Sequence, residues 1–436
     1  MSAPAPAAAP PFAVIAPFFV AAPLGLAAAG ALLAGAEEDA LLAVNAPRLV
    51  AVTHALVLGW LTLSIMGALY QLGPAVLGGR VPSLRLLRTQ FWVHVISVAA
   101  FVPAFAAWDI RWMSAAGVGV VVSFILFFVA AIPSVGAFRP GSLTRAYVSF
   151  ALAFFALAGG VGITYAGTLE HLWFPVTLGR LAGHAHLGLL GWLGLVLMGV
   201  SYQVVPMFNV VHERHPRFGR PALWLTAAAA AGGSLWLMSD PGRDVRVLLA
   251  LGMALGPALW AADMVVLLRA RSRRRLDIQG RATFVSLGFL LAAILLAVLV
   301  AIGEPAAPRG EPARLHLAYG AVAVGGWAGI TLIGNSYKIV PFLTWYHRYR
   351  HLAGAGPVPM VADLYDARLA HGILATHIGA IILAAGGSLA GSIVVVNIAG
   401  ALLAAGGGAL FLSLLAITVH RPAGQRMGPS PQGFAP

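Results

Sequence analysis

Two histidines two residues apart in an apolar helix are the residues best placed to do chemistry in this chain. They are His184 and His186, in the stretch from Arg180 to Phe208, RLAGHAHLGLLGWLGLVLMGVSYQVVPMF. Residues two apart on a helix lie about 200° apart, so the two imidazoles point to opposite sides. One helix can therefore ligate two different groups. Imidazoles are costly in hydrocarbon and tend to be functional there. His54 and His316 complete a set of four at similar depth.

The class of protein follows from composition. The chain has 436 residues, 60% hydrophobic and 9% charged, with a mean hydropathy of +0.88. These values exclude an ordinary soluble domain and indicate a polytopic membrane protein. With no cysteine, disulfides, thiolate metal sites and iron–sulfur clusters are excluded. A spanning helix needs about 20 apolar residues. On that criterion twelve spans are expected, at 12–35, 49–72, 90–108, 113–137, 146–167, 181–207, 221–239, 246–269, 282–303, 314–343, 370–389 and 392–419. The fold expected is an all-α polytopic membrane bundle, a single domain over 12–420. A disordered lead-in (1–11) and a disordered tail (421–436) flank it.

The net charge of +13 follows the topology and does not point to nucleic acid. Arginines crowd alternate loops: Arg80, Arg85 and Arg88; Arg139 and Arg145; Arg214, Arg217 and Arg220; the run ending at Arg275 with Arg281; Arg348 and Arg350. The other loops carry most of the acids, among them Glu37, Glu38, Asp39, Asp109, Glu170, Asp240 and Asp244. The positive-inside rule then places both termini in the cytoplasm of a bacterial-type inner membrane and starts every even-numbered helix at the outer face.

The elements that carry the histidines repeat. Helix 2 reads GWLTLSIMGALYQLGP, helix 6 GWLGLVLMGVSYQVVP and helix 10 GWAGITLIGNSYKIVP. Upstream of each lies an Arg-Leu pair, at Arg48, Arg180 and Arg314, separated from Tyr70, Tyr202 and Tyr337 by 22, 22 and 23 residues. Three four-helix repeats, over about 12–137, 146–269 and 282–419, suggest a pseudo-threefold bundle. In this frame His54 and His186 coincide. His184 sits a half-turn further out, and His316 lies nearer the outer surface, two residues after Arg314. A zinc site would want four convergent ligands, often with carboxylates that these helices lack at that depth. Neutral imidazoles in apolar surroundings suit heme iron, with Arg48, Arg180 and Arg314 placed either for its propionates or as snorkelling interfacial residues.

The segment GHAHLGLLGWLGLVLMGVSYQVVPMF resembles the His-x-His helix of heme-copper oxidase subunit I. The likeness is closest to the cbb-type cytochrome c oxidases and nitric oxide reductases. THALVLGWLTLSIMGALYQLGP resembles the second helix of those enzymes, which opens with the low-spin heme ligand. The resemblance implies that His54 and His186 are axial ligands of a low-spin heme b and that His184 binds a second heme. It also implies respiratory electron transfer or O2/NO chemistry, with a cytochrome c or quinol as electron donor and further subunits as partners.

Three departures stand out. The His-x-His helix is the sixth here and the tenth in the family. The histidines that hold copper in the oxidases have no counterpart in helices 7 or 8, and the glutamates of the nitric oxide reductase iron site are absent. His316, with Tyr319 on the same face, is the sole outer candidate for a second metal, so a copper site lacks a complete ligand set. The NnrS-like heme and copper membrane proteins share the single-subunit pattern. The rival from another class is a twelve-helix transporter, or a heme- or copper-handling protein without redox turnover. Against it, the spans carry no paired charges, and the repeats run parallel. The remaining histidines, His94, His371 and His377 among them, read as interfacial or loop residues. Lys338 reads as a snorkelling lysine, and Asp263 and Asn397 as isolated polar residues.

Overall fold

The computed structural model describes residues 9–211, 216–272, 275–303, 311–353 and 358–420. Most of the lead-in, the tail from 421 onward, and His212 and His215 lie outside the described residues. Among those described there are twelve long helices and no strand. They are α1 (Phe12–Ala34), α2 (Pro47–Leu77), α3 (Leu84–Ala106), α4 (Ile110–Val135), α5 (Leu143–His171) and α6 (Leu178–Asn209). Next comes α7, Gly219–Ala228 continued through Ala229–Gly233 and Ser234–Leu237. The remainder are α8 (Arg243–Arg269), α9 (Ile278–Ile302), α10 (Ala313–Arg348), α11 (Ala367–Ala390) and α12 (Ile393–Val419).

Eleven of the twelve are long and apolar enough to cross a membrane. The exception is α7, expected as a span. It opens on Gly219, Arg220 and Pro221 and carries the small polar run Gly232-Gly233-Ser234, which lowers its mean hydropathy. The helices begin and end where their sequences dictate. Asp109, Ser142, Thr177, Asp277, Asp366 and Ser392 each accept from a backbone N–H of the first turn, because those groups have no partner within the helix. Gly78, Gly136 and Gly391 end α2, α4 and α11 in the left-handed region, open to glycine without steric cost.

Three helices form the centre. Within the apolar windows of α2, α6 and α10, 72%, 78% and 67% of residues are buried, against 28% for α4 and α9. Lipid tails are as apolar as leucine, so close backbone approach and hydrogen bonds must hold such a bundle together. The glycines supply the approach. A Cβ on Gly67 would lie 2.6 Å from Phe18, on Gly199 2.2 Å from Tyr147, and on Gly334 2.4 Å from Ala282. Each of these partners belongs to the helix that precedes the central one.

The same three helices share a feature that their hydrophobic period does not announce. Each widens into a π-helical segment over its Gly-Trp pair: Ala55–Thr62 in α2, Leu187–Gly194 in α6 and Ala321–Gly329 in α10. A fourth, shorter segment lies in α7. π turns are rare and often occur at functional sites. Here the α-helical turns end at His54 and at His186, so both imidazoles sit at the mouth of a π segment.

Candidate functional site

Each of the four histidines of the set has a definable environment. His54 donates from Nδ1 to the carbonyl of Val50, one turn back, at 2.8 Å. His186 does the same to Ala182 at 2.7 Å. A carbonyl only accepts, so the proton sits on Nδ1 and the lone pair on Nε2 in both rings. That tautomer, with Nδ1–H fixed by a carbonyl, is the one in which imidazole ligates a metal through Nε2. The Nε2 of His54 has no hydrogen-bond partner among the described residues. Its ring stacks on Phe105 at 4.7 Å and meets the edge of Phe101 at 5.8 Å, so α3 closes one side. The Nε2 of His186 accepts instead from the hydroxyl of Tyr319 on α10, at 3.1 Å, with the rings 5.9 Å apart and 19° from parallel.

His184 faces the other way, as its spacing requires. Its ring lies against α5, with the edge of Tyr165 at 5.7 Å and Gly162 so close that a Cβ there would come within 3.3 Å of Cε1. Its Nδ1 is buried and has no partner among the described residues. Within electrostatic range of His184 is His54, and within range of His186 is His316. These couplings set His184 with His54 and His186 with His316.

There is open space beside these rings. Gly188 lies one turn along α6 from His184, and Gly320 one turn along α10 from His316. A Cβ added at either meets nothing within 4 Å, although both helices are otherwise the most buried in the molecule together with α2. Among the described residues no group of three or more His, Cys, Asp or Glu could hold a metal ion. A many-ligand copper or iron site is therefore not assembled by them. A group that supplies most of its own iron ligands and asks for one or two imidazoles fits the unpartnered ring nitrogens and the open glycine faces.

The three arginines lie at the same end of the bundle, each beside backbone. Arg180 bonds the carbonyl of Pro175 and lies 4.7 Å over the Phe174 ring, while its own carbonyl accepts from Tyr165 at 2.8 Å. Arg314 packs its guanidinium over Gly391, with Nε buried and unpartnered. Arg48 lies beside Gly35 at the end of α1.

Several residues that read as peripheral prove structural. His94 and His377 are 0% and 2% exposed, packed inside the bundle. His94 gives Nε2–H to the carbonyl of Leu58 at 3.1 Å and accepts at Nδ1 from Ser123 at 2.8 Å. His377 gives Nε2–H to Gly325 at 2.9 Å. Leu58 and Gly325 occupy the same place, immediately before the Gly-Trp pair, in the π segments of α2 and α10. Among the described residues no histidine donates to the equivalent Leu190 of α6. His371 shares the Nδ1 bond of His54, to Ala367 at 2.6 Å, but at the arginine-loop end of α11.

Asp263, which reads as isolated, accepts from the Tyr202 hydroxyl at 3.0 Å and from the backbone of Arg217 and Phe218 at 3.0 and 2.9 Å. It thereby fixes the approach to α7. Lys338 pairs with Asp277, the N-cap of α9.

Counting back from the Gly-Trp pair exposes two of these relations. His184 and Tyr319 both stand seven residues before the glycine, and Leu58 and Gly325 both one before. No family model matches the chain, and no curated protein matches it.

Proposed function

We propose that the chain is a heme-binding membrane protein built like subunit I of the heme-copper oxidases, acting in respiratory electron transfer or O2/NO chemistry. The observation that carries this reading is the His54 ring. Its proton is fixed on Nδ1 by Val50, and its Nε2 lone pair is presented inside a helical bundle with no partner among the described residues. That lone pair is free to ligate a metal without first breaking a protein hydrogen bond. The unpartnered Nδ1 of His184 and the open faces of Gly188 and Gly320 support the same reading.

A b-type heme held there supplies reversible one-electron transfer. The protein's own residues do the rest. Val50 and Ala182 set the imidazole tautomers, Phe101 and Phe105 exclude water from one face of His54, and Tyr319 holds a proton at His186 Nε2. Arg48, Arg180 and Arg314 keep positive charge at the histidine end, where it would favour an anionic propionate edge. The three Gly-Trp helices, each with its π segment, are read as the centres of three pseudo-symmetric four-helix repeats. Copper lacks a ligand set among the described residues, so heme alone is proposed. The arginine loops support an orientation with both termini in the cytoplasm of a bacterial-type inner membrane. Cytochrome c or quinol is the electron donor class in this reading.

The test is the reduced-minus-oxidised optical spectrum of the purified chain, where b-type heme bands are expected. Their absence overturns the proposal. If the bands are present and CO leaves the reduced spectrum unchanged, the diatomic chemistry falls and electron transfer alone remains.

A further inference from the structure

The three central helices meet in one register, counted from the glycine of each Gly-Trp pair: Gly59, Gly191 and Gly326. The tryptophan that follows each glycine packs against a neighbouring central helix, at the residue three positions after that helix's own Gly-Trp glycine. Trp192 of α6 donates from Nε1 to Thr62 of α2 at 3.0 Å. Trp327 of α10 lies over Gly194 of α6, where a Cβ would come within 3.4 Å of Cη2, and Trp60 of α2 lies over Gly329 of α10 at 3.0 Å by the same measure. The ring closes: α6 on α2, α10 on α6, α2 on α10.

The same rotation relates the residues toward the histidine end. Across the α10–α6 contact, Tyr319, seven positions before Gly326, bonds His186, five positions before Gly191. Moving that contact to the α6–α2 interface puts His184, seven before Gly191, against His54, five before Gly59. The electrostatic coupling of His184 to His54 agrees with that placement. At the third interface the two positions hold Val52 and Ala321, which offer no ligand. One interface therefore carries imidazole with imidazole, the next imidazole with phenol, and the last only alkyl groups.

We infer that His54 and His184, one from each of two neighbouring central helices, are the two axial imidazoles of a single low-spin heme, and that His186 belongs to a different site with Tyr319. This rests on the proposed heme binding and changes its ligand pair, since the family resemblance implies His54 with His186. Two observations separate the alternatives. The Nε2 of His186 is already held by the Tyr319 hydroxyl, whereas that of His54 is held by no described residue. Beside the His184 ring, Gly162 of α5 brings only backbone, and Gly188, one turn along α6, faces open space.

The experiment uses the full chain and three single variants, His54→Gly, His184→Gly and His186→Gly. Each is read by low-temperature EPR and by the optical α-band, with and without added imidazole. Free imidazole can enter the space left by a missing ligand, so rescue separates a ligand from a residue needed only for folding. The expected result is a low-spin signal reduced at least about tenfold in His54→Gly and His184→Gly and restored by imidazole, with His186→Gly retaining it. A low-spin signal lost and rescued in His186→Gly but retained in His184→Gly overturns the pairing while leaving heme binding intact. A wild-type chain without b-type bands overturns heme binding and the pairing with it.

Discussion

His54 belongs to α2 and His94 of α3 packs against the stretch just beyond it, and the two carry opposite tautomers. In His54 the proton is on Nδ1, spent on a carbonyl of its own helix, and Nε2 is left over. In His94 the proton is on Nε2 and goes to the carbonyl of Leu58 on a neighbouring helix, while Nδ1 accepts from Ser123. Both ring nitrogens of His94 are thus satisfied by protein, so that ring is complete without a ligand. The ring of His54 is not. His377 and His186 repeat the contrast on α11 and α6, less completely, because the Nδ1 of His377 is orphaned and the Nε2 of His186 is met by Tyr319. His94 and His377 are fully buried, whereas His54 and His186 are partly buried, but burial does not say what each ring nitrogen does. The direction in which each ring nitrogen is used separates a ligand from a packing residue.

The sharpest way to break this contrast is to remove one member of each kind. His54→Ala is expected to lower the heme-to-protein ratio at least about tenfold with the helical fold kept, measured by pyridine hemochrome and circular dichroism. His94→Ala should do the reverse. It orphans the Leu58 carbonyl and the Ser123 hydroxyl and lowers stability by about 1–3 kcal/mol, measured by unfolding in mixed micelles, with the heme content of the folded fraction unchanged. If His94→Ala strips heme at unaltered stability, the division between the two kinds of histidine is wrong.

A smaller pair of changes sharpens the same contrast through space instead of hydrogen bonding. Gly188 and Gly191 are neighbours on α6, yet a Cβ on Gly191 would lie 2.7 Å from Phe154 whereas one on Gly188 meets nothing. Gly191→Ala should cost about 1–3 kcal/mol by overpacking. Gly188→Ala should be neutral or raise stability by up to about 1 kcal/mol, the helix preference of alanine over glycine. Both are measured by the same micellar unfolding. Gly188→Leu should keep the fold and reduce heme occupancy by filling the space beside His184. The smallest effect belongs to the arginine-loop end. Lys338→Met removes a partly exposed ion pair with Asp277 and should change stability by less than about 1 kcal/mol, with the optical spectrum unaltered.

Much of this was legible in the chain. Apolar runs of spanning length located the helices, because a bilayer forces every backbone polar group to be satisfied within its own segment. Only α7 fell short, its arginine, proline and small polar residues diluting the apolar run. The His184/His186 spacing told that the two rings must diverge, since the helical repeat allows nothing else. The Gly-Trp and Tyr positions picked out α2, α6 and α10 as the helices to watch. Asp263 and Lys338 stood out as polar residues in apolar helices, but their partners, Tyr202 with the Arg217–Phe218 backbone and Asp277, lie 45 or more residues away.

What the sequence determined by itself is everything set by local periodicity: the helices, their apolar character, and the opposed directions of His184 and His186. Tertiary structure alone decided which neighbour each ring meets. Divergence by about 200° fixes a direction relative to the helix axis and says nothing of which helix packs on that side. It also decided the π segments and the bonds of the Leu58 and Gly325 carbonyls within them to His94 and His377. Those bonds cross between helices, so no spacing within one helix could have announced them.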